Sequence, residues 1–263
     1  MSTTTSKKSS LARRLGLGCL ILLTLALVGG CITLRVLDKP RPQAEVGPQA
    51  DATAERMMAA VDVEAWQRTG AVTWDFGGRQ QHLWDRQRQL SRVRWGDHEV
   101  LLDLTTRRGV ARTGGEAVEG AAADELLEAA WSHWCNDSFW LNPIAKLFDD
   151  GTERGLVDGE EGGLLVTYSS GGVTPGDAYL WQLGENDLPT AWRMWTQILP
   201  VDGVRASWDD WIDLDTGAKV ATRHKTPLFE LVLSDVRGAA TLGELEPGDD
   251  PFAPLTALSA DSD

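Results

Sequence analysis

The chain has 263 residues, 42% hydrophobic and 24% charged, which is enough apolar material for one ordinary core and too much for wholesale disorder. Its 25 lysines and arginines stand against 39 aspartates and glutamates, for a formal charge of −14. So acidic a chain is not built to neutralise phosphates, which argues against nucleic acid as a partner, and an anionic membrane surface would repel its folded part.

The amino terminus runs the other way. A polar segment carrying Lys7, Lys8, Arg13 and Arg14 precedes an uncharged apolar stretch from Leu15 to Leu34 that ends at Arg35. This is an export or membrane signal, assigned to residues 1–37, and it has two readings. Val28-Gly29-Gly30-Cys31 has the small residues before a cysteine that a bacterial lipobox needs, with Cys31 as the lipidated residue. Alternatively, about twenty apolar residues at ~1.5 Å each span the ~30 Å hydrocarbon layer as one uncleaved helix. Either reading leaves the positive residues inside and puts the rest of the chain on the periplasmic side of a bacterial envelope membrane. Cys19 and Cys31 fall in this signal, so the exported part holds Cys135 alone and forms no intramolecular disulfide. In its helical setting Cys135 reads as a small buried residue.

Residues 38–51, with Pro40, Pro42 and Pro48 and no apolar period, read as a flexible linker. A helix is predicted over 52–66, where Met57, Met58, Val61, Ala65 and Trp66 fall near one face. Strands follow at hairpin spacing over 71–76, 81–86, 90–95, 99–104 and 108–112, with turn residues such as Gly77-Gly78 and Gly96-Asp97 between them. A helical region comes next, with Leu126, Leu127, Ala130, Trp131 and Trp134 on one face and Trp140, Leu141, Ile144, Leu147 and Phe148 on another. The two join near Asn142-Pro143. Strands resume over 154–157, 163–169, 177–183, 190–199, 206–214, 218–224 and 228–235. The acidic tail, 244–263, has proline and aspartate enough to predict disorder. Residues 52–243 are then one domain of the α+β class, predicted as a strongly curved antiparallel sheet. It forms an open half-barrel of about 11–12 strands with helices covering its concave face.

Tryptophan is the compositional oddity, with twelve against five phenylalanines and two tyrosines. On strands they follow a period of two: Trp74 shares a face with Val72 and Phe76, and Trp192 and Met194 share the face opposite Ala191, Arg193 and Trp195. Such stripes fill a core, each indole N–H finding a carbonyl, or they wall an apolar cavity under a helical lid.

Catalytic constellations are missing. His82 and Asp85, three apart on a strand, point to opposite faces, as do Asp209 and Asp210. His98 sits beside Asp97 and Glu99 at a hairpin edge, and His133 and His224 also read as surface residues. The Asp149–Glu153 loop lacks a calcium-loop register, and no nucleophile elbow, metal-binding or phosphate-loop motif occurs. No catalytic residue, metal or cofactor is expected, and the chain is read as something other than an enzyme, a hydrolase with an unrecognised site being the third hypothesis.

With that order of elements, the segments AVTWDF (71–76), HLWDR (82–86), WCNDSFWLNPIAKLFDDGT (134–152), YLWQL (179–183) and WRMWTQILPV (192–201) resemble a tryptophan-rich branch of the LolA/LolB family of lipoprotein carriers and sorting proteins. The resemblance spans about Ala52 to Val236 and rests on aromatic and turn patterns. It implies an open half-barrel whose cavity holds lipid acyl chains. The walls would include Trp74, Phe76, Trp84, Trp95, Trp181 and Trp195, and the lid Trp131, Trp140, Leu141 and Ile144. The implied partners are lipid or an acylated lipoprotein, together with the membrane that holds the anchor. The soluble carriers of the family lack an anchor, so this tethered chain departs from them. An envelope sensory or protein-interaction module on the same fold is the alternative.

Overall fold

The computed structural model describes residues 38–159, 162–199 and 201–255. Among them the chain forms an α+β fold with two antiparallel sheets. The six-stranded sheet runs in the order β1 (Glu45–Val46), β8 (Thr152–Val157), β9 (Gly163–Tyr168), β10 (Ala178–Leu183), β11 (Pro189–Trp195) and β12 (Val204–Ser207). The nine-stranded sheet begins with β13 (Asp209–Asp213), β14 (Lys219–Lys225) and β15 (Glu230–Ala239). It continues through β2 (Ala71–Phe76), β3 (Gln80–Asp85), β4 (Leu90–Trp95) and β5 (His98–Asp103) to β6 (Gly109–Thr113) and β7 (Glu116–Val118). Instead of one sheet of about a dozen strands there are two, and the chain passes from one to the other across Trp208. The Trp208 N–H still donates to Thr190 O on the first sheet (2.9 Å), while Asp209 already pairs with Arg223 on the second.

Local chemistry sets the hairpins. Gly77 and Gly78, at φ 63° and 70°, lead the three-residue turn, completed by Arg79, between β2 and β3, a backbone twist that matches strand twist and that side chains resist. The long helix α3 (Ala121–Leu141) lies over β4, β5 and β6 and reaches β14, ahead of a 3-10 turn at Pro143–Lys146 whose cap is the Asn142 side chain. Two shorter helices, α1 (Pro48–Ala60) and α2 (Val63–Arg68), precede the sheet, and α4 (Leu242–Leu245) follows it. The main core gathers Met57, Trp66, Trp74, Leu141, Trp181 and Trp192 between helices and sheets. A second cluster packs Val93, Val100 and Leu102 under Ala130 of α3.

Two segments expected to be loose are built into the fold. The stretch 38–51 carries β1, which pairs with β8, and α1 begins at Pro48, where the proline ring presets the first helical φ. Backbone approaches so closely there that a Cβ on Gly155 would lie 2.6 Å from the Ala44 Cβ. Lys39 N–H donates to Asp202 O and Asp202 N–H to the Asp38 carboxylate, both at 3.0 Å, and the Trp195 indole donates to Lys39 O at 2.8 Å. The acidic tail behaves likewise as far as residue 255. Phe252, Leu245 and Leu255 bury against Leu83, Leu90 and Leu101, and Arg88 holds Asp250 through two bonds of 2.6 and 2.9 Å. A few apolar residues among many prolines and aspartates suffice, because the sheet face beneath supplies the rest of the cluster. Among the described residues no helix is long and apolar enough to cross a membrane. The predicted signal at 1–37, with Cys31, lies outside them.

Candidate functional site

The second half of α3, the β2–β3 turn, the ends of β9 to β11 and the start of β15 enclose a cavity of about 380 Å³. Its wall is aromatic: Phe76, Trp131, Trp134, Phe139, Trp140, Tyr168 and Tyr179 all line it, with Met194 and Leu231. Phe139, Tyr168 and Tyr179 form a mutual cluster with ring centroids 5.0 to 5.8 Å apart, and Phe139 also lies 6.0 Å from Trp192 behind it. At the mouth stand Val173, Ile198 and Phe229, which are exposed.

Of the ten residues named as walls and lid, three meet at this cavity: Phe76, Trp131 and Trp140. Trp74, Trp181, Leu141 and Ile144 are solid core, each 1% exposed or less. Trp84 and Trp95 are half-buried under α3, Trp84 against Trp134 and Trp95 against His133. Trp195 faces the opposite side of the sheet, with Leu165 and Leu180, where the 38–46 segment covers it. The period of two dictates this, since Trp195 is one residue from Met194 and Met194 points into the cavity. Phe139, Tyr168 and Tyr179 were missed, although a signal existed. Tyr179 is two residues from Trp181, Tyr168 two from Val166, and Trp131, Cys135, Ser138 and Phe139 recur at helical spacing.

Six indole N–H groups, those of Trp74, Trp84, Trp134, Trp181, Trp192 and Trp208, are buried without a hydrogen-bond partner. Their neighbours are other rings: Trp181, Trp192 and Trp208 lie 4.9 to 5.0 Å from one another. These six lack the carbonyl partner that a core indole was expected to find, whereas the Trp195 and Trp211 indoles donate to Lys39 O and Trp208 O.

The histidines also differ from expectation. His82, read only as a poor partner for Asp85, is buried, with Nε2 2.6 Å from the Asp137 carboxylate of α3 and its ring stacked on Trp74 at 4.4 Å. His224 is fully buried between Trp208 and Trp140, and burial pushes its pKa down to about 4. His133 is half-buried and its pKa is lowered, again chiefly by desolvation. His98 stays at the hairpin edge, with Nδ1 2.9 Å from Thr113 Oγ1. Asp209 accepts from Ser207 and Asp210 from Arg223, so the two carboxylates have separate partners.

Cys135 lines the cavity, but burial raises its thiol pKa to about 11, so it is protonated at neutral pH and a weak nucleophile. Burial also raises the phenol pKa values of Tyr168 and Tyr179, with the charges of Asp149 and Asp177 adding to the respective effects. No group of three or more potential metal ligands occurs among the described residues. What the arrangement can do is hold a mostly apolar molecule against aromatic walls. No protein-family model matches the chain, and no curated protein matches it.

Proposed function

We propose that this chain is a membrane-anchored protein of the bacterial envelope, facing the periplasm, that binds a lipid acyl chain or the acyl chain of a lipoprotein in the cavity beneath α3. It binds without chemistry and serves the sorting or transfer of lipoproteins at the outer membrane. The anchor is the 1–37 segment, through lipidated Cys31 or a single helix. The observation that carries the reading is the aromatic cavity of about 380 Å³, at the small end of the ~300–1,000 Å³ range of small-molecule pockets. Each Å² of acyl surface moved from water to such a wall contributes about 25 cal/mol. The continuation of β12 into β13 across Trp208 supports taking the two sheets together as one strongly curved half-barrel, with α3 as its lid.

Native mass spectrometry of the full chain, extracted from bacterial envelopes and followed by lipid analysis of what is released, tests this. Bound acyl lipid or acylated peptide is the expected result. A ligand-free mass, with no uptake of a fluorescent acyl probe, would sink the reading. A second reading, an envelope sensory or interaction module, draws on the exposed Val173, Ile198 and Phe229 at the cavity mouth, an apolar surface suited to a protein partner. In that case partner capture changes when the chain is delipidated, and capture indifferent to delipidation removes it.

A further inference from the structure

The cavity is not uniformly apolar. At the ends of three neighbouring strands it carries Tyr168, Asp177 and Thr196 side by side: Tyr168 N–H donates to Asp177 O (2.9 Å), and the β10–β11 register continued by one residue sets Asp177 opposite Thr196. Asp177 is buried and receives the Thr174 hydroxyl at 2.7 Å, the Tyr179 hydroxyl at 3.3 Å and the Gln197 N–H at 3.4 Å. All three of these groups donate to it. The hydroxyls of Tyr168 and Thr196, in contrast, are buried and have no partner, and Thr196 is only 8% exposed. A buried hydroxyl without a partner costs free energy that a ligand group of the right polarity would recover.

The charge at this end selects that polarity. Asp149 and Asp150 line the same cavity as Asp177; Lys146 is committed to Asp149 at 3.1 Å, Arg154, whose charge reaches Tyr168, is paired with Asp51 at 2.6 Å, and Arg79 lines the cavity from the β2–β3 turn. An anionic group brought to these two hydroxyls would approach Asp149, whose charge reaches Tyr168, and Asp177, opposite Thr196, where water screens little. A carbonyl that is uncharged accepts from the hydroxyls without that repulsion. We propose that the polar end of the cavity, at Tyr168 and Thr196, receives the uncharged ester or amide carbonyl of an acyl chain and discriminates against a free carboxylate. The inference rests on the acyl-binding reading above and narrows its ligand class to acyl esters and amides. A glyceride and an acylated polypeptide share that linkage, and the test separates them.

The full chain, held soluble by an amphipathic polymer, is titrated at about pH 8, where a carboxylate is ionised. The probes are dodecanoylglycerol, an N-dodecanoyl tripeptide amide and dodecanoate, with tryptophan emission as readout. At least one of the two uncharged probes should bind about tenfold more tightly than dodecanoate, and the stronger of the two identifies the source of the linkage. Tyr168→Phe combined with Thr196→Val should weaken the preferred probe by about threefold to tenfold and leave dodecanoate unchanged, so that the preference collapses. Dodecanoate binding as tightly as both uncharged probes overturns this inference and leaves acyl binding standing. Failure of all three to bind overturns both. The comparison of probes on the unaltered chain does not depend on how the double variant folds.

Discussion

The contact that holds α3 to the sheet can be broken by one substitution, Asp137→Leu. His82 Nε2 lies 2.6 Å from the Asp137 carboxylate, with side chains 0% and 2% exposed, and His82 Nδ1 already has no partner. Removing the carboxylate strands an imidazole in the interior with neither nitrogen bonded. The lost hydrogen bond, added to an unsatisfied buried partner, amounts to about 3–5 kcal/mol. For a folded part of this size, each kcal/mol moves the melting temperature by roughly 2–4 °C, so the fall is about 6–20 °C. Thermal melts and urea midpoints, with an unchanged urea slope, would measure it. The companion variant, His82→Phe with Asp137→Leu, keeps a ring on Trp74 and leaves no orphaned imidazole, only the half-buried Asn136 amide that also donates to Asp137, so it should regain about half of the loss or more. A single variant within about 1 kcal/mol of the parent, or a double variant whose loss equals the two single losses added, would refute the assignment of this pair as the latch. Because the same helix presents Trp131 and Phe139 to the cavity, acyl-probe affinity should fall with the Asp137→Leu substitution and return in the double variant.

Three further outcomes are expected. His224 has a folded pKa near 4 against ~6.5 unfolded, so the unfolded chain takes up the proton first; stability from this group is present above about pH 6.5 and declines toward pH 4, by about 3 kcal/mol, and His224→Leu should flatten that part of the pH–stability curve. Phe252→Ala should cost about 3–5 kcal/mol in urea unfolding, since the ring is fully buried; a loss under 1 kcal/mol would show the tail to be dispensable. Trp181→Ala, deep in the core, should lower stability by about 3–5 kcal/mol, whereas Trp131→Ala at the cavity wall should lower it by less than about 2 kcal/mol and weaken acyl-probe binding by about tenfold; equal stability losses would make Trp131 plain core.

Strand and helix positions were legible because their signals are local. Gly77-Gly78 and Gly96 announce hairpins, and the alternation of Val72, Trp74 and Phe76 marks a half-buried strand. What local patterns do not carry is which distant element covers a given face. His82 pairs with a residue 55 positions away, and nothing within the HLWD segment points to Asp137. The division of the tryptophans into core, wall and outer face is a property of sheet order, so Trp195 could be assigned to a face by parity but not to the covered outer side. The N-terminal and C-terminal segments were misjudged for a related reason. Their composition is that of linkers, and their order comes from Trp195, Gly155 and Leu83, which belong to other parts of the chain.

The stitching of Asp38 and Lys39 to Asp202 also sets the geometry of attachment. The loop they grip is the one that carries Ile198 and Leu199 to the cavity mouth. If residues 1–37 hold the chain at a bilayer, the first described residues of the fold, Asp38 and Lys39, are already fixed to that loop. The handle of the cup would then be riveted to its wall, so that a pull on the anchor is felt first by the loop that carries Ile198 and Leu199.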